Sequence, residues 1–113
     1  MRKLLAAVAA ATAIVLTVAS PASATITGGR DGRIFLAVAH DGGILHDATV
    51  STEGHFAIDR FTLDGPGIRQ SARGTNGTRT FSLTNRQVAY NSQICGQGYL
   101  DGRSLGRACV RIR

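Results

Sequence analysis

From residue 25 onward this chain contains no lysine, and it has no tryptophan at all. Its only cysteines are Cys95 and Cys109, so the paired C-x-x-C ligands of a zinc finger are excluded. There is no G-x-S-x-G nucleophile elbow, no acidic calcium loop and no complete phosphate-binding fingerprint, since Gly96-Gln97-Gly98 stands without its partners. Beyond residue 24 no apolar run approaches the roughly 20 residues a membrane helix needs. Nor does any stretch of ten or more residues there carry an apolar stripe at helical spacing. These absences remove nucleotide, calcium and zinc-finger chemistry, and no cofactor, metal or membrane span is expected in residues 25–113.

The N-terminus reads differently. Arg2-Lys3 is followed by a nearly unbroken apolar run from Leu4 to Val18, then Pro21 and Ala22-Ser23-Ala24. Positive, apolar and small-residue regions in that order form a cleavable secretion signal, with the cut expected after Ala24. A helix of about 15 residues spans only about 22 Å, short of a hydrocarbon core of about 30 Å. The expected product is a secreted, extracellular domain.

From Thr25 onward, eleven arginines face seven acidic residues, a net +4 with histidine neutral. A GC-rich, bacterial genome is the expected source of arginine in place of lysine. The excess positive charge still biases encounters toward anionic partners: wall polymers, acidic glycans or extracellular nucleic acid. In an exported chain an even pair of cysteines predicts a Cys95–Cys109 disulfide. Closing a loop of about 15 residues is worth roughly 3 kcal/mol in the chain-entropy model.

The patterning is that of strands. Thr25–Gly32 reads as a flexible leader, with residues 33–113 as a single β domain. Ile34, Leu36 and Val38 alternate with Phe35, Ala37 and Ala39, as in a strand buried on both faces. Asp41-Gly42-Gly43 turns the chain into Ile44–Val50, and His55–Leu63 alternates again until Asp64-Gly65-Pro66-Gly67 stops it. A second hairpin is expected from Ile68–Gly74 through Asn76-Gly77 to Thr78–Thr84. Asn76-Gly77-Thr78 also spells a glycosylation sequon, read here as turn chemistry. Gln87–Asn91 is another short strand, and Ile94-Cys95 can neighbour Cys109–Ile112. Gly96–Ala108, with four glycines, reads as an irregular loop. The expected architecture is all-β, a small sandwich or barrel of about six or seven short antiparallel strands.

Two stretches repeat faintly at an offset of 35, Ala37–Gly43 and Ala72–Thr78, each a strand and turn centred on Asx-Gly. The first continues into Ile44-Leu45-His46, and Asp31–His46 resembles a repeat of tachylectin-like β-propeller lectins. In those repeats a strand enters an Asp-Gly turn and is followed by an apolar or aromatic pair and often histidine. The resemblance implies sugar binding. Leu45 stands where an aromatic is expected, and a propeller needs about four or more blades, so only oligomerisation would close a ring.

The candidate chemistry is modest. His40, His46 and His55 fall within 16 residues. With Gly42-Gly43 as a two-residue loop, however, His40 pairs with Leu45 and His46 with Ala39, which sends the imidazoles to opposite faces. Glu53 or His55 with His40 and an arginine would make a general acid–base set for a small ribonuclease. Tyr99-Leu100 or Arg103-Ser104 would make a protease-inhibiting loop. The phenylalanines take strand positions and are expected in the core. Tyr90 and Tyr99 suit a wet surface, and with His46 they are the candidate ligand-binding residues. The leading expectation is a non-enzymatic secreted domain that binds a glycan or an anionic cell-wall component. A ribonuclease-like hydrolase is the alternative, and a protease inhibitor the third reading.

Overall fold

A computed structural model describes residues 24–113. The signal segment assigned to residues 1–24 lies outside the described residues except for Ala24, which is exposed coil. The described chain is all-β, with eight antiparallel strands: β1 Thr25–Asp31, β2 Ile34–Asp41, β3 Ile44–Thr52, β4 Ile58–Gly65, β5 Ile68–Gly74, β6 Thr78–Gln87, β7 Ser92–Leu100 and β8 Arg103–Ile112. They form two four-stranded sheets, β1-β2-β3-β6 and β5-β4-β7-β8.

The alternation read from the sequence determines which side chains face inward. Ile34, Leu36 and Val38 of β2 and Leu45, Ala48 and Val50 of β3 are buried against Phe61 and Leu63 of β4, Ile94 of β7, and Ala108, Val110 and Ile112 of β8. β2 buries only one face completely. Its other face, with Phe35, Ala37 and Ala39, is half-buried on the outside of the sandwich. Two of the four phenylalanines, Phe61 and Phe81, are therefore core, while Phe35 and Phe56 are not.

Four segments depart from the sequence reading. Within the expected leader Thr25–Gly32, the segment Thr25–Asp31 pairs with β2 along its whole length. Its packing explains why it lacks a core pattern: at Gly29 a β-carbon would stand 2.6 Å from the Cys109 carbonyl oxygen, so this edge lies hard against β8. The Asp31 carboxylate accepts the Arg107 backbone N–H at 2.9 Å, and the Arg33 N–H donates to the Leu105 carbonyl at 3.1 Å. β5 and β6 are not a hairpin, because they belong to opposite sheets. Asn76 lacks the positive φ a type I′ turn needs, and the Gly77 N–H closes back on the Gly74 carbonyl at 3.1 Å as the chain crosses between sheets. Gln87–Asn91 is not a strand of its own: β6 runs on to Gln87, distorted where Thr84 and Asn85 take positive φ.

The largest difference is Gly96–Ala108, a β-hairpin with one bulge at Leu105 rather than a loop. Cys95 pairs with Cys109 directly across β7 and β8 and is disulfide-bonded to it, and pairing continues to Leu100–Arg103. Asp101 and Gly102, both at positive φ (52° and 78°), make a two-residue turn of the I′ kind. The glycines serve packing, since Gly96 and Gly98 face inward beneath Val50 and Ile34. Tyr99-Leu100 and Arg103-Ser104 therefore flank the tip of this hairpin.

Candidate anion-binding face

The outer face of the β5-β4-β7-β8 sheet follows from strand alternation. With Phe61 and Leu63 inward on β4, Arg60, Thr62 and Asp64 point out. With Ile68 and Gly74 buried on β5, Arg69, Ser71 and Arg73 point out. Gln97 and Tyr99 of β7 and Arg107, Cys109 and Arg111 of β8 complete the face. All five arginines are exposed, and Asp64 is the one acidic side chain among these outward positions.

The arginines are not equivalent. Arg107 reaches Asp64 at 3.5 Å, with both groups about half exposed, so this pair is screened and weak. Arg111 donates to the Asn91 carbonyl at 3.0 Å. Arg60 lies over the Tyr99 ring, 4.8 Å from its centroid, and the Tyr99 hydroxyl donates to Gln97 Oε1 at 2.8 Å. Arg69 and Arg73 have no ion pair or side-chain hydrogen bond among the described residues. Arg60 and Arg73 are direct cross-strand partners. Like charges placed opposite one another destabilise a sheet, so stability gives no reason for this pairing. The face can hold an anion: one arginine is fixed by stacking, another is unengaged beside it, and the hydroxyls of Ser71 and Thr62 lie one row away. Asp59, exposed in the β4 bulge, lines a shallow cleft with Arg60, Tyr99 and Gly102 and accepts the Asp101 N–H at 2.7 Å.

Tyr99 is the one sequence candidate on this face. Tyr90 is exposed in the turn before β7, so roughly 23 Å of strand separates it from Tyr99. His46 sits on the other sheet in a bulge, because Ala39 pairs with Asp47 and His40 with Leu45, leaving His46 without a strand partner. Its Nδ1–H donates to Asn85 Oδ1 at 2.7 Å. The Val88 N–H bonds the Gly43 carbonyl, so His46 and Tyr90 share one end of the sandwich while Tyr99 stands at the other.

The proposed acid–base set is dispersed. His40 is buried, its Nδ1–H donating to the Gly42 carbonyl at 2.8 Å while Nε2 accepts the Thr27 hydroxyl at 2.7 Å. Both ring nitrogens are engaged in holding β1 and the β2–β3 turn. Glu53 and His55 follow Thr52, which pairs with Ile34 at the far end of β2, about 20 Å of strand from His40. Glu53 pairs with Arg30 at 3.5 Å instead. Among the described residues no three His, Cys, Asp or Glu side chains gather as metal ligands would. No helix in the described residues is long and apolar enough to cross a membrane.

Arg60, Arg69 and Arg73 are not among the sequence candidates, because in the sequence arginine is legible mainly as net charge. The available signal is that Arg69, Ser71 and Arg73 take every second position, one face of a strand, and that Arg60 precedes an inward phenylalanine. Compared with known proteins, the chain matches no family model, no curated protein and no solved structure.

Proposed function

We propose that this chain is a non-enzymatic, secreted binding module that holds an anionic extracellular polymer, of the cell-wall or glycan kind, on the outer face of its β5-β4-β7-β8 sheet. The observation that carries this reading is the facing of Arg60 and Arg73 on a sheet surface where five exposed arginines outnumber the two acids of β4, Asp59 and Asp64. A flat array of guanidiniums recognises repeated anionic groups through bidentate hydrogen bonds. The disulfide is the bond an exported chain forms, and cleavage after Ala24 would leave β1, which begins at Thr25, whole. The resemblance of Asp31–His46 to tachylectin-like repeats favours the same broad class of extracellular ligand. Burial of His40 by two structural hydrogen bonds weighs against hydrolysis.

The test is retention of purified residues 25–113 on insoluble wall and acidic polysaccharide preparations, eluted with a salt gradient. The triple variant R60Q/R69Q/R73Q is expected to elute at clearly lower salt than the parent, as loss of contacts to a polyanion lowers both affinity and its salt dependence. Coincident elution of the two proteins overturns the reading.

A further inference from the structure

The same face narrows the class of polymer, an inference that rests on the function proposed above. We infer that the anionic group seated between Arg60 and Arg73 is a phosphodiester, and that the polymer is a phosphodiester-linked polyol rather than a polycarboxylate or a nucleic acid.

Three features lead there. First, two arginines rise side by side from paired positions, with β-carbons about 5 Å apart by strand geometry. A carboxylate is planar and offers a single edge on which one guanidinium fork closes bidentately. A phosphodiester carries its charge on two non-bridging oxygens whose lone pairs spread around each P–O axis instead of lying in one plane, so two neighbouring guanidiniums can approach it from different sides at once. Arg60 is held on the Tyr99 ring and so loses little freedom when it binds, while Arg73 has no partner among the described residues and can swing to the same oxygens from the other side.

Second, the face lacks a platform for bases. Single-stranded nucleic acids are held by stacking on aromatic rings. Tyr99 is the one aromatic among the outward positions of this sheet; Arg60 covers one face of its ring, and its hydroxyl is bound to Gln97. Third, the row beside the arginine pair is Ser71, Thr62 and Gln97. These uncharged donors and acceptors suit the hydroxyls of a polyol linking one phosphate to the next.

The experiment is titration calorimetry of residues 25–113 at fixed salt with soluble poly(glycerol phosphate), polygalacturonate and single-stranded oligo-thymidylate, matched in concentration of charge. Poly(glycerol phosphate) is expected to bind tightest. R60K keeps the charge but loses the planar fork and the stack, and should weaken that binding about fivefold or more; R73Q should do the same. R113Q, at the chain end, should change it less than about twofold. Circular dichroism of each variant confirms that the fold is kept. If polygalacturonate or the oligonucleotide binds as tightly as poly(glycerol phosphate), or R60K binds as the parent does, the phosphodiester assignment is overturned while polyanion binding stands. If none of the three polymers binds, both readings fall.

Discussion

Gly96 of β7 lies directly beneath Val50 of β3: a β-carbon on Gly96 would stand 2.8 Å and 3.2 Å from the two γ-methyls of Val50. Both residues are fully in the core, and valine has little freedom at χ1 to move aside. The approach of the two sheets at this point is thus set by the absence of a side chain on β7. Gly96→Ala should destabilise the fold by about 1–3 kcal/mol, the usual range for an overpacked core. Urea unfolding of G96A, V50A and the double variant measures it. The double variant is expected to be more stable than the sum of the single losses, since Val50→Ala opens the space the new methyl needs. Additive losses would mean that the contact does not limit the packing.

The disulfide staples the last two strands. Cys95 and Cys109 are direct partners in β7 and β8, on the outer face between Asp64 and the edge of the sheet. Replacing both with serine should cost up to about 3 kcal/mol, the chain-entropy value for a loop of this length, measured as a lower urea midpoint. Because the β7–β8 ladder also has a local two-residue turn, the hairpin itself should survive in the native state, and the far-ultraviolet spectrum of the folded variant should match the parent. Loss of that spectrum would mean the hairpin depends on the bridge.

Thr27 and His40 join the first strand to the core through one hydrogen bond. Thr27→Val keeps the shape but leaves the buried Nε2 without its donor, a loss of about 1–3 kcal/mol. Amide exchange should quicken most along β1, which pairs with β2 on one side and meets β8 on the other. Unchanged exchange in Thr25–Asp31 would show that the glycine contacts alone hold the strand.

Asp64 is an outward acid on the arginine face, and it engages Arg107. Asp64→Asn frees that arginine and removes a repulsive charge. Binding to an anionic polymer should strengthen by about threefold to tenfold at low salt, with a steeper salt dependence. The stability change should be small, below about 1 kcal/mol, because the ion pair is half exposed. Equal or weaker binding of D64N would place the ligand elsewhere on the molecule.

Strands are legible in the amino-acid order wherever one face is apolar and the turn is spelled locally. Ile34–Val38, the Gly42-Gly43 turn and the His40–Leu45 pairing follow from alternation and loop length, as does the cysteine pair from its composition and spacing. Other parts depend on contacts between residues distant in sequence, which only the folded arrangement supplies. Thr25–Asp31 is a strand because its glycines let it lie against β8. Gly96 and Gly98 are flat because Val50 and Ile34 occupy the space above them, and Asp101-Gly102, which spells a type I′ turn, was hidden inside a glycine-rich stretch. The separation of β5 from β6 depends on a sheet crossing that no local signal encodes. The arginine face belongs to the same class. Each arginine is an ordinary outward residue of its own strand, and only the pairing of β4 with β5 and β7 sets Arg60 between Arg73 and Tyr99.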